Sequence, residues 1–107
     1  MGKLKREDKV FLRLISDNKF EVKNRDGDMV FESESDYFIY FKNANFNSNG
    51  TINGRYLGIA SDKLIDGYCR DVKFIGDKWQ IVNGEVVETA KMVALNNKTG
   101  ATIIIQN

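Results

Sequence analysis

The clearest alternation of apolar and polar positions lies at residues 79–88, where Trp79-Gln80-Ile81-Val82 and Glu85-Val86-Val87-Glu88 flank the pair Asn83-Gly84. Asn tolerates positive φ and Gly adopts it freely, so a two-residue type I′ hairpin is expected, pairing Ile81 with Val86 and Trp79 with Glu88. That register assigns Trp79, Ile81 and Val86 to the core, with Phe74 joining them from the preceding run.

The same alternation recurs upstream. Residues 10–15 are apolar on both faces apart from Arg13, residues 20–23 alternate, and residues 29–31 follow Asn24-Arg25-Asp26-Gly27, whose Gly suits a left-handed bulge position. Three strands in a meander are expected there, preceded by a flexible lead-in over residues 1–8, which are charged and hold Leu4 as their one apolar anchor. Next comes Tyr37-Phe38-Ile39-Tyr40-Phe41, the densest aromatic run. Strand alternation sends Tyr37, Ile39 and Phe41 to one face and Phe38 and Tyr40 to the other, so both faces need cover. Residues 43–54 are rich in Asn and Gly and read as a hairpin or wide loop, leading to a strand over residues 55–60 in which Gly58 marks a bulge or a close backbone approach.

Two stretches are ambiguous in period. Leu64, Ile65, Tyr68, Cys69 and Val72 recur at helical offsets, and Asp66 with Arg70 forms an i,i+4 pair, so a short helix is expected over about 62–71. A loop followed by a strand over residues 69–75 is the alternative. Residues 86–95 also fit a helical stripe. There the β-branched run 102–105, set off by Asn97-Lys98-Thr99-Gly100, needs a neighbouring strand and favours a closing hairpin.

Composition narrows the picture. At 107 residues and 42% hydrophobic, the chain supports one β domain over residues 9–107 with its own core, and no proline-rich linker divides it. The fold expected is a mainly β, small antiparallel meander barrel or sandwich of seven to nine short strands with at most one short helix. Sixteen Lys and Arg balance fifteen Asp and Glu, which removes any strong global pull toward nucleic acid or an anionic membrane. Local asymmetry remains, with five cations against two acids in residues 1–13 and seven acids against three cations in residues 17–36. The single Cys69 has no internal disulfide partner and no apolar leader follows the basic start, so a cytoplasmic location without membrane contact is expected.

Candidate chemistry is sparse. Histidine is absent, which removes the commonest general base and metal ligand. Glu32, Glu34, Asp36, Glu85 and Glu88 offer carboxylates that, if paired, would titrate apart or hold a divalent ion, although acids at alternating strand positions ordinarily face water. No P-loop, paired-cysteine motif or glycine-rich dinucleotide fingerprint occurs. No cofactor and no catalysis are expected. The residues left for a binding surface are Phe38, Tyr40 and Tyr56 as aromatic contacts, with Lys42 and Arg55 as a basic rim. The expectation is a non-catalytic interaction protein, of accessory, regulatory or inhibitor type such as mobile elements encode, acting on a protein partner or by self-association. A small barrel binding single-stranded nucleic acid or nucleotides is the alternative, drawing on the same aromatic and basic residues, and a carboxylate-dependent enzyme is the third reading.

Overall fold

A computed structural model describes residues 4–16, 19–31, 36–64, 69–100 and 102–105. The described residues form nine strands in one antiparallel sheet: β1 (Lys9–Ser16), β2 (Lys19–Asn24), β3 (Met29–Phe31), β4 (Phe38–Phe46), β5 (Thr51–Ala60), β6 (Cys69–Ile75), β7 (Lys78–Ile81), β8 (Thr89–Asn96) and β9 (Thr102–Ile105). Their order across the sheet is β3-β2-β1-β5-β4-β8-β9-β6-β7. Hairpins join β1 to β2 to β3 as a meander, and β4 to β5, β6 to β7 and β8 to β9. Longer connections break the simple meander, because β1 pairs with β5, β4 with β8, and β6 with β9.

The sheet curls onto its own apolar face. Four inter-strand steps separate β4 from β7, about 19 Å in a flat sheet, yet the Phe46 and Trp79 rings lie 5.3 Å apart, nearly edge to face. Phe74 lies 5.3 Å from the same indole. Val10, Leu12, Phe20, Val22, Val30, Ile39, Phe41, Ile52, Val72, Ile81, Leu95 and Ile104 complete a single core that draws on every strand. The result is the expected mainly β domain, a rolled sheet whose seam lies between the end of β1 and β6. A cleft of about 670 Å³ lined by Leu14, Ile15, Lys73, Phe74 and Ile75 occupies that seam.

Among the described residues no helix occurs, and so none is long and apolar enough to cross a membrane. The helix expected over 62–71 is corrected at both of its described ends: residues 62–64 are irregular and Cys69 begins β6, while residues 65–68 lie outside the described residues. The helical offsets of Cys69 and Val72 yield to pairing with Ile105 and Thr102 of β9. Residues 86–95 likewise take the extended form, in which Ala90, Val93 and Leu95 face the core and Met92 and Ala94 the other side.

The turn at Asn83-Gly84 is a correction of register. Gly84 N–H donates to Ile81 O at 2.7 Å and Ile81 N–H to Glu85 O at 2.7 Å, with Gly84 at φ +100° and Asn83 outside the left-handed region. This is a type I turn closed by a glycine bulge, one residue longer than a type I′ loop. Gln80 therefore bridges Val86, and Val87 enters the core while Val86 is 57% exposed. Residues 24–27 and 47–50 build the same turn, with Gly27 and Gly50 at φ +87° and +86°. The two-residue turn with positive φ at both central positions is Gly76-Asp77 instead, between the paired residues Ile75 and Lys78.

Residues 43–54, read as a hairpin or wide loop, form the hairpin, in which the 47–50 turn joins the end of β4 to the start of β5. Asn43 at φ +51° shifts the β4–β5 register, and β5 passes Gly54 beneath Phe41. A second bulge at Leu57 precedes Gly58, as the glycine foretold. Of the lead-in, residues 4–8 are fastened to the sheet. Leu4 packs on the core, Glu7 N–H donates to Tyr56 O and Tyr56 N–H to Asp8 O, both at 2.8 Å.

Two measurements test this packing. Val87→Ala lowers the unfolding free energy by about 2 kcal/mol, and Val86→Ala leaves the urea midpoint unchanged. Equal effects of the two would restore the shorter turn. A Cβ on Gly54 falls 2.6 Å from Phe41 Cδ2 and 3.0 Å from Lys42 O, so Gly54→Ala costs about 1–3 kcal/mol, read as a lowered thermal midpoint with unchanged far-ultraviolet circular dichroism.

Candidate functional site

Rolling the sheet leaves its outward face as the available surface, and strand alternation fixes what that face carries. On β4, Ile39 and Phe41 are fully buried in the core while Phe38 and Tyr40 point outward. Tyr40 is nevertheless buried, at 6% exposure, because the segment after β5 folds over it. Its hydroxyl donates to Asp62 O at 3.1 Å and accepts from Leu64 N–H. Around it Phe38, Leu57, Ala60, Cys69, Met92, Ala94 and Ile105 form a second apolar cluster, with the Phe38 and Tyr40 rings 6.4 Å apart.

Beside this cluster runs a groove of about 430 Å³, lined by Arg6, Tyr40, Leu57, Gly58, Ile59, Leu64, Met92 and Ile105. Ile59 is 51% and Leu64 69% exposed at its rim. β1 pairs with residues 51–55 of β5 and the lead-in with Tyr56, so among the described residues no strand neighbours residues 57–60 on the side away from β4.

Lys42 and Arg55 stand directly opposite each other across β4 and β5. Glu7, held in the left-handed region at φ +79°, forms an ion pair with Lys42. The hydrogen bond from Lys42 lowers the Glu7 carboxyl below its usual range, and the positive charges of Lys42, Arg55 and Arg6 act in the same direction against the opposing effect of burial.

Of the five expected binding residues, Phe38, Tyr40, Lys42 and Arg55 share the outward face. Tyr56 does not. It pairs with Phe41 and packs inward, its ring 5.9 Å from Phe31, which in turn lies 6.0 Å from Tyr37. Burial raises both phenol pKa values, and the neighbouring Tyr56 adds to the rise at Tyr37. Sequence reasoning missed Arg6, Ile59, Leu64 and Met92. The first sits in the lead-in, and the other three reach the groove through a bulge, a loop crossing and a non-local strand pairing.

The candidate carboxylates do not assemble into a visible centre. Asp36, Glu85 and Glu88 are exposed, Glu32 and Glu34 lie outside the described residues, and no group of three metal-ligating side chains occurs among the described residues. Cys69 is a half-buried free thiol in the outward cluster.

The hydroxyl of Tyr40 makes a testable clip. Tyr40→Phe keeps the ring and removes both bonds to the covering segment, so stability falls by about 1 kcal/mol and the Leu64 amide exchanges with solvent faster, as hydrogen exchange followed by NMR will register. Comparison with family models, curated proteins and solved structures finds nothing that matches this chain.

Proposed function

We propose that this protein is a non-catalytic interaction module that binds a protein strand on its outward face. The observation that carries the reading is the meeting of an apolar groove and a strand edge that no other described strand covers. Among the described residues no strand pairs with residues 57–60 on the side away from β4, and Ile59, Leu64 and Met92 line the groove alongside. Strand addition at such an edge draws affinity from main-chain hydrogen bonds and selectivity from side-chain pockets. The basic residues Arg6, Lys42 and Arg55 form a polar rim of the kind that surrounds an apolar contact. A second copy of the chain, adding its own residues 57–60 antiparallel about a twofold axis, satisfies both edges at once. The cytoplasm is the compartment proposed, on the strength of a lone thiol with no internal disulfide partner.

Sedimentation velocity across a concentration series tests this. The parent chain forms a dimer, and the pair Ile59→Lys with Leu64→Lys raises its dissociation constant about tenfold or more while both exposed substitutions leave the fold intact. If the parent stays monomeric throughout and a displayed library of extended peptides yields no binder blocked by the same pair, the reading fails.

A further inference from the structure

We infer that the outward face of β1, β5 and β4, which shares Lys42 and Arg55 with the rim of the groove but extends away from it to Lys9 and Phe11, is a binding surface for single-stranded nucleic acid. The three strands hold 27 residues between them and no acidic side chain, yet they carry Lys9, Arg13, Lys42 and Arg55. In a protein whose charges otherwise nearly cancel, that is a segregated field. The cations are also aligned. Lys9 pairs with Arg55 and Arg55 with Lys42, so three positive residues stand as successive cross-strand neighbours over about 10 Å. Like charges directly opposite one another destabilise a sheet; Glu7 offsets part of this at Lys42, and a polyanion lying across Lys9 and Arg55 turns the remaining repulsion into attraction.

The second observation is aromatic. Alternation along β1 turns Phe11 outward between Lys9 and Arg13, and it remains 40% exposed, although Val10 and Leu12 on either side are buried. Its cross-strand neighbours are Lys23 on β2 and Asn53 on β5. Asn53 faces Asn45 of β4 and accepts a hydrogen bond from Asn47 Nδ2 at 2.8 Å, which leaves the Asn53 amide NH₂ without a described partner. An exposed ring with cations on both sides along its strand and amides across from it matches what a single strand offers, a stacking base between phosphates with hydrogen-bonding edges. An acidic peptide would use the cations but not the ring, and duplex DNA keeps its bases stacked away from Phe11. The acids nearest the face are engaged: Glu7 pairs with Lys42, Glu21 lies opposite Arg13 and 3.7 Å from Lys23, and Asp8 accepts from Lys5 N–H.

Fluorescence anisotropy with a labelled single-stranded oligothymidylate tests the assignment. The parent binds, with affinity falling linearly in log salt. Phe11→Ala weakens binding about tenfold or more without changing the salt slope. The pair Lys9→Gln with Arg55→Gln reduces the slope by about 0.7 for each phosphate contact removed. These residues are exposed, so the urea midpoint of no variant falls below that of the parent, and Leu64→Lys, which alters the groove, leaves Phe11 dependence intact. No binding at low salt overturns the inference. So does displacement by polyglutamate as readily as by unlabelled oligothymidylate together with an unaffected Phe11→Ala variant, an outcome that would identify a surface for acidic proteins.

Discussion

The rolling of the sheet around Trp79 is the constraint on which the other features rest. A nine-stranded antiparallel ribbon has one apolar face to bury and no helix among its described residues to bury it against, so it closes over itself. The indole, 2% exposed, is the bulkiest fully buried side chain. It stands between Phe46 and Phe74, rings from strands that a flat sheet would hold far apart. Gly50 belongs to the same arrangement, since the Phe74 ring lies close over it and the absence of a side chain there lets the β4–β5 turn approach β6. Among the described residues the indole N–H has no hydrogen-bond partner, a penalty that apolar burial of so large a ring outweighs. With the inner face committed in this way, binding is left to the outward side.

Much of this was legible in the sequence. Period-two alternation located most strands, and the turn residues punctuated them. The Asn-Gly pair misled because it serves two turn types that differ by one residue, and the register then depended on whether Val86 or Val87 faced inward. The two side chains are identical, so hydropathy could not choose between them. The same turn at residues 24–27 was read correctly because its spacing admits only the longer form. For 62–71 the helical offsets were real, but cross-strand pairing of Cys69 and Val72 outweighed a weak local preference already diminished by Gly67.

The candidate surface was legible in part. Alternation placed Phe38 and Tyr40 together. It could not show that Tyr56 lies on the opposite face, because that depends on how β5 registers against β4, a register altered by bulges at Asn43 and Leu57. Phe11 escaped notice because residues 10–15 look apolar on both faces, and nothing local marks which side the sheet will curl away from. The alignment of Lys9, Arg55 and Lys42 is likewise invisible along the chain, since those residues are brought side by side only by the pairing of β1, β5 and β4.

The strand order also bears on how the chain reaches its native state. The hairpins close over short loops, but joining them requires β1 to find β5, β4 to find β8 and β6 to find β9, each closing a long loop before its contacts repay the lost entropy. Such non-local β topologies fold on the millisecond-to-second scale. No proline occurs in the sequence, so the slow isomerisation that delays many β proteins by tens of seconds is absent. The refolding time of this protein is therefore a direct reading of the search for those three pairings.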